Sequence, residues 1–413
     1  MATSTKVSQV SPRRSRVATK TKVQVSPYRQ ALFYITTFGF WSALYVSISL
    51  IPIHAFSLPG ASMSTVGLTI GLYSLALILF RIPLGLLSDR LGKRKPFILA
   101  GFLTIAIGFV GLALAPNIWV LAIARLVTGI GATTWVVLTV LFSSYWEEKK
   151  VPQVMGRLTL LMGLSPILVS YFGGRIAENF GISAVFYVAA FLALLGLLIA
   201  TQVIEIAPVI DKRSRSFSLS EIINPLLIQV SVAAAVILLV VFTVSLGFLP
   251  VYANQLGASE SRVVFLQTTM FFSFTLASFS ASFLVARLDL RTAVLSGVCL
   301  TAIGSLVVPL VREANLLFVP QLMIGAGWGL TFPLLMSLSI KGFERLKQAT
   351  AMGIFQAIYG VGMFIGPILG GAIAGLWGLK IIFYFCFVLC FIPLAITFKL
   401  PQSKAKITNR AFS

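Results

Sequence analysis

The chain of 413 residues is 58% hydrophobic and only 10% charged, with a mean hydropathy of +0.98. Soluble domains carry about 25% charged residues, so most of this chain cannot face water and a soluble enzyme is excluded. The formal charge of +21 arises from 32 Lys and Arg against 11 Asp and Glu. These basic residues are scattered between apolar runs, a pattern that reads as membrane topology and not as a nucleic-acid surface.

Residues 1–30 contain Arg13, Arg14 and Arg16 but no acid. Such a segment cannot bury a core and is expected to be a disordered basic tail, although its Arg- and Ser-rich composition also fits an organelle transit peptide. Apolar runs follow at roughly 31–55, 65–87, 96–115, 118–145, 155–177 and 183–202, each of about the length that crosses a bilayer. A polar linker over 203–223 holds Asp211, Lys212, Arg213, Arg215 and Glu221. A second series runs at roughly 224–252, 262–286, 292–311, 315–340, 350–376 and 379–400. The tail 401–413 carries Lys404, Lys406 and Arg410. The expected architecture is an all-α membrane protein of twelve transmembrane helices, with six in 31–202 and six in 224–400.

Positive charge is retained on the cytoplasmic side during insertion. With the N-terminus inside, the tails, the linker and the loops on that side take nearly all the loop Lys and Arg, while the opposite loops hold Arg262, Arg312 and Lys380. Both termini are therefore expected in the cytoplasm of a multi-pass plasma-membrane protein. Sliding one half against the other brings Arg90 and Arg94 onto Arg287 and Arg291, Met155-Gly156 onto Met352-Gly353, Gly163 onto Gly360, and Gly173-Gly174 onto Gly370-Gly371. In a register one residue shorter, Gly129 and Gly131 meet Gly325 and Gly327. A parallel repeat of six-helix halves is the arrangement of a transporter whose halves rock about a midplane site.

Chemistry-bearing residues appear in chain order from His54, the single histidine, near the outer end of span 1. It reads either as a group that titrates near neutrality or as a ring bonded to backbone beside Pro52. Arg81 lies in span 2 before Pro83; a buried guanidinium there suits a carboxylate or phosphate, or else snorkels. Between spans 2 and 3 stands Gly85-Leu-Leu-Ser-Asp89-Arg90-Leu-Gly92-Lys93-Arg94-Lys95. Gly85 and Gly92 permit close helix approach and a tight turn, and Asp89 can pair with Arg or accept from a helix N-terminus. The basic residues of this loop also anchor the topology.

This loop resembles the signature G-x-x-x-D-R-x-G-R/K-R/K of the major facilitator superfamily, matched at Gly85, Asp89, Arg90, Gly92, Lys93 and Arg94. The resemblance extends over about residues 31–400 and implies the major facilitator fold, two pseudo-symmetric six-helix bundles with alternating access, and a loop that latches one state. In the second half the equivalent stretch is Ala286-Arg287-Leu288-Asp289-Leu290-Arg291, which lacks the acid at the matched position. Arg125-Leu-Val-Thr-Gly129-Ile-Gly131 in span 4 looks like the family's R-x-x-x-G-x-G, which the resemblance associates with proton-coupled exporters. A membrane arginine costs about 2.5–3.5 kcal/mol on insertion scales, so Arg125 needs an acceptor or a wet cavity. Its repeat equivalent is the neutral Gln321. Arg81-Ile-Pro83-Leu-Gly85 is similar to a pattern in nitrate porters and in exporters of the superfamily, but span 8 holds no paired arginine.

Span 11 carries Gly362, Gly366, Pro367, Gly370 and Gly371, a G-x-x-x-G-P-x-x-G-G pattern of close packing around a bend. In the family it marks antiporters when it stands in span 5, where this chain has Val169-Ser170 instead of Gly-Pro. All eleven acids fall in loops or near span ends, which leaves Asp89, Glu178 or His54 as titratable candidates for proton coupling. Trp41, Tyr45, Trp135, Phe271, Gln321, Trp328, Gln356 and Tyr359 are the candidate cavity lining. Such aromatics with few polar groups suit a partly apolar ligand, though each also fits plain core packing. No phosphate loop, metal cluster or disulfide framework is present: Cys299, Cys386 and Cys390 lie in apolar runs, and no cofactor is expected. The reading is a monomeric secondary transporter, not an enzyme, coupled to protons and exporting small organic compounds. Proton-driven uptake of a small organic anion and a non-transporting sensor or scaffold are the alternatives.

Overall fold

The computed structural model describes residues 25–146, 150–205, 222–287 and 289–400. Arg13, Arg14 and Arg16, the acids Glu147 and Glu148, the linker residues Asp211, Lys212, Arg213, Arg215 and Glu221, and Lys404, Lys406 and Arg410 lie outside the described residues. The first half comprises span 1 (Pro27–Tyr45 and Ile51–Ser57), span 2 (Met63–Leu91), span 3 (Lys95–Ala113), span 4 (Ile118–Ala132 and Trp135–Ser144), span 5 (Val151–Phe180) and span 6 (Ile182–Ala200). The second comprises span 7 (Pro225–Thr243, a π segment Val244–Phe248, and Leu249–Gln255), span 8 (Glu260–Arg287), span 9 (Leu290–Val307), span 10 (Phe318–Ser339), span 11 (Arg345–Trp377) and span 12 (Leu379–Leu389 and Phe391–Phe398).

Eleven of these, among the described residues, are single helices or near-continuous runs long and apolar enough to cross a membrane. The twelfth, span 1, is split by the turn over 46–50 into a piece of 19 residues whose first turn holds the polar Tyr28-Arg29-Gln30 and a piece of only 7 residues. The same interruption recurs in span 7 as the π segment. Both stretches read V-S-x-x-x-x-P, Val46-Ser47 to Pro52 and Val244-Ser245 to Pro250. A proline inside a helix withdraws the donor that the carbonyl four residues earlier would use, so both breaks follow from Pro52 and Pro250.

The turns repeat as well. Gly60 and Gly257 both have φ of +80°, and Gly181 and Gly378 have +84° and +90°, a region that side-chain-bearing residues avoid. Gly92 at +62° faces Asp289 at +131° in the repeat, the single non-glycine of positive φ among the described residues. Asp289 offsets that strain by capping span 9: one carboxylate oxygen accepts from the Thr292 N–H at 2.9 Å and the other from its hydroxyl at 2.8 Å. Ser62 with Thr65, Asn117 and Asn224 cap spans 2, 4 and 7 in the same manner.

Two seams join the halves, spans 2 with 11 and spans 5 with 8. Towards the end opposite the termini they are tight, because glycines let backbones touch. A Cβ on Gly67 would strike the Pro367 carbonyl, one on Gly371 the Met63 carbonyl, and one on Gly71 would lie 2.8 Å from the Phe364 carbonyl. On the second seam a Gly174 Cβ would lie 3.0 Å from the Ser261 Cα. Towards the terminal end the first seam parts, and Gly85 and Gly353 face open space. Both seams are therefore tight at the end opposite Pro27 and Phe398, and the first seam is parted towards the end that carries those two residues.

Candidate functional site in the seam between the halves

Arg125 is only 4% exposed, at a level of span 4 set by glycine packing: Gly129 abuts Tyr73 and Ala76 of span 2, and Gly131 abuts Gly101 and Ile105 of span 3. Its guanidinium carbon lies 4.2 Å from the centre of the Tyr73 ring. A guanidinium over a ring face recovers part of its lost hydration through the ring quadrupole. Its Nε has no hydrogen-bond partner among the described residues. Beyond it, towards the closed end, a cavity of about 10 Å³ is walled by Ile48, Pro52, Ile70, Phe242 and Leu246, drawn from spans 1, 2 and 7. An apolar plug thus separates Arg125 from that end.

The second membrane arginine acts differently. Arg81 Nη1 donates to Gln356 Oε1 at 3.0 Å, a bond that crosses from span 2 to span 11. It lies between the close approach of Gly360 to Ile78 and the open space at Gly85 and Gly353, so it is a polar bridge at the lip of the open side.

Aromatic rings continue from this charge into both halves. Trp135 stacks near Phe40 at 6.0 Å and meets Trp41 edge-on at 4.9 Å; Trp41 lies 5.3 Å from Tyr45. Tyr45 crosses the seam to Phe271 at 5.0 Å, edge to face. Phe271 and Phe274 stand 6.5 and 4.2 Å from Trp328, and Phe332 joins Trp328 to Tyr359 at 6.4 and 5.4 Å. The indole N–H groups of Trp41 and Trp328 have no acceptor among the described residues. An amphipathic ligand could meet rings, two free indole donors and one guanidinium in this belt.

Gln321 sits apart from the belt's open edges: it is fully buried, and its Oε1 accepts from Ser245 in the π segment of span 7. His54 packs edge-on against Phe186 at 5.3 Å, with Nε2 unpartnered among the described residues. At the loop signature, Arg94 pairs with Asp89 at 3.4 Å, while Arg90 and Lys93 are exposed. The backbone N–H groups of Arg94 and Lys95 donate to the Glu205 carboxylate at 2.9 and 2.6 Å, so an acid beyond span 6 caps span 3. In span 11, Gly362, Gly366 and Gly370 lie against Ala235, Leu239 and Thr243 of span 7, whereas Gly371 and Pro367 lie against span 2.

Sequence reasoning did not single out Tyr73, Phe332, Ser245 or Glu205. The V-S-x-x-x-x-P repeat would have pointed to Ser245. The other three are placed by tertiary packing, which leaves no local mark.

A broken-helix, two-bundle membrane architecture with a buried polar centre defines a class of membrane transporter. The sequence profile of the Major Facilitator Superfamily matches residues 31–259 and 230–412, and the chain belongs to that superfamily. It is 32% identical over 161 residues to the inner membrane transport protein YajR of Escherichia coli, a match that covers 39% of this chain and 35% of that protein, so it spans about a third of that relative's length. It is 26% identical over 328 residues to the multi-drug resistance efflux pump PmrA of Streptococcus pneumoniae serotype 4, covering 77% of this chain and 81% of that one. A bacterial homologue of the human lysosomal transporter Spinster, in an inward-facing and unoccupied conformation, superposes with a TM-score of 0.75 at 17% identity over 91% of this chain and 97% of that chain.

Proposed function

We propose that the protein is a proton-coupled exporter of small, partly apolar organic compounds, seated in the plasma membrane with both termini in the cytoplasm. The observation that carries this reading is the aromatic belt that crosses the seam at Tyr45 and Phe271 beside the buried Arg125. A compound entering from the cytoplasm would meet rings and indole donors first and the guanidinium deepest. The similarity to an efflux pump over most of both chains supports the same direction. Arg125 serves coupling or substrate contact, with His54 as a further titratable group. Asp89, Arg90 and their neighbours latch the opposite state, in which Gly85 and Gly353 would close.

Uptake of a small organic anion is the second reading, favoured by two membrane arginines, Arg81 and Arg125, without a carboxylate in the middle of any span. The test is internal pH in proteoliposomes under an imposed proton gradient, with lipophilic cations, neutral drugs and organic anions added in turn. Proton leak against substrate flow supports export. Proton movement together with an anion, lost in Arg81→Gln, replaces export by uptake.

A further inference from the structure

We propose that a groove on the second seam, at the end opposite the termini, binds the phosphate headgroup of an anionic phospholipid, and that this lipid holds that end shut. The groove is a cavity of about 580 Å³ between spans 5 and 8, and its Phe265 precedes Phe271 of the aromatic belt along span 8. Span 5 contributes Tyr171, Arg175 and Glu178, span 8 contributes Arg262 and Phe265, and span 10 contributes Phe318.

Three properties select the ligand. The first is charge: Arg175 and Arg262 against Glu178 leave a net positive site, and neither arginine is ion-paired among the described residues. Guanidinium groups take phosphate oxygens bidentately and are less strongly hydrated than lysine, so two of them suit a phosphate monoanion. The second is depth. Arg175 and Glu178 occupy the last turns of span 5, and Arg262 the first turn of span 8, which is headgroup level for helices that end there. The third is an apolar flank. Tyr171 and Phe265 are each 54% exposed, Phe265 packs on Phe318 at 5.4 Å, and the Arg175 guanidinium lies 5.5 Å from the Tyr171 ring, so acyl chains find rings just below the charges. Aromatic side chains favour this depth.

The site has one arginine from each half. Where it forms, the halves touch, with a Gly174 Cβ position 3.0 Å from the Ser261 Cα. Rocking that opens this end carries Arg175 away from Arg262, so a phosphate held by both binds the closed form more tightly and shifts the population towards it.

The experiment titrates the purified full chain in neutral detergent with phosphatidylglycerol, phosphatidylcholine or inorganic phosphate. It follows thermal stability and the distance between spin labels placed across the seam on Gln255 and Asn179, both exposed and outside the groove lining. The native protein should bind phosphatidylglycerol about tenfold more tightly than phosphatidylcholine, and the labels should narrow with phosphatidylglycerol alone. Arg175→Gln and Arg262→Gln should each remove about tenfold of that preference, and Arg262→Lys should retain part of it. Equal responses to both lipids, or a preference unchanged in both glutamine variants, would overturn the proposal. A response to inorganic phosphate as large as that to the lipid would replace the lipid by a free anion and overturn it equally.

Discussion

The two halves share one frame but treat the same buried position in opposite ways. In the second half Gln321 is neutral, fully buried and bonded to Ser245 within the interruption of span 7. In the first half its counterpart Arg125 is charged, and both its Nε and the hydroxyl of Ser47, the counterpart of Ser245, are without partners among the described residues. A buried charge without a carboxylate is held against its desolvation cost, here offset in part by Tyr73, whereas the glutamine carries no charge and its Oε1 is bonded, its Nε2 alone being without a partner among the described residues. Asymmetry at matched positions therefore marks the Arg125 charge as a desolvation cost that the first half bears and the second does not.

The largest expected effect comes from forcing the second half to imitate the first. Gln321→Arg should destabilise the protein by about 3–5 kcal/mol in thermal or denaturant unfolding, because it breaks the Ser245 bond and buries an unpaired charge. Arg125→Gln should leave stability unchanged or raise it. If the two substitutions prove equally harmful, the distinction between the halves fails.

The closed end comes next. Gly371→Leu places a side chain into the Met63 carbonyl and Ser64, and should cost about 1–3 kcal/mol or drive the molecule to its other state, read by label distances across spans 2 and 11. Gly85→Ala, which faces open space, should leave this state undisturbed.

A smaller effect is expected at the lip. A double-mutant cycle on Arg81→Gln and Gln356→Ala should give a coupling of about 1 kcal/mol, expressed as easier parting of the first seam. Zero coupling would mean that the bridge at 3.0 Å holds nothing together.

Smallest of all is a pH effect at the turn where Asp289 replaces the glycine of the first half. Hydrogen bonds from Thr292 hold this carboxyl below the ordinary carboxylate range. Its contribution is present above the unfolded-state value and is lost as pH falls through the lower folded-state value. Native stability should thus decline slightly more in acid than that of Asp289→Asn, as a pH series of melting temperatures would reveal.

Much of the architecture was legible because apolar runs and repeated glycines are local signals. Twelve apolar runs became eleven long helices and a broken one, and the break at 46–50 was written in Ser47 and Pro52 and repeated at Ser245 and Pro250. The candidate site was legible as residue types: Trp41, Tyr45, Trp135, Phe271, Trp328 and Tyr359 do lie in one chain of rings. What the sequence could not supply is partnership. Arg81 reads as a free guanidinium until Gln356 is brought to it across the seam. Glu205 reads as a loop acid until span 3 presents its first N–H groups. Both contacts join residues more than a hundred positions apart, beyond the reach of periodicity or motif spacing.

The most direct test of this account is substrate-driven proton movement in proteoliposomes, compared between the native chain, Arg125→Gln and the exchange variant Arg125→Gln with Gln321→Arg. The account predicts that Arg125→Gln folds and inserts normally but loses the movement by about tenfold or more, and that moving the arginine to the second half does not restore it. Native-like proton movement in Arg125→Gln would contradict it.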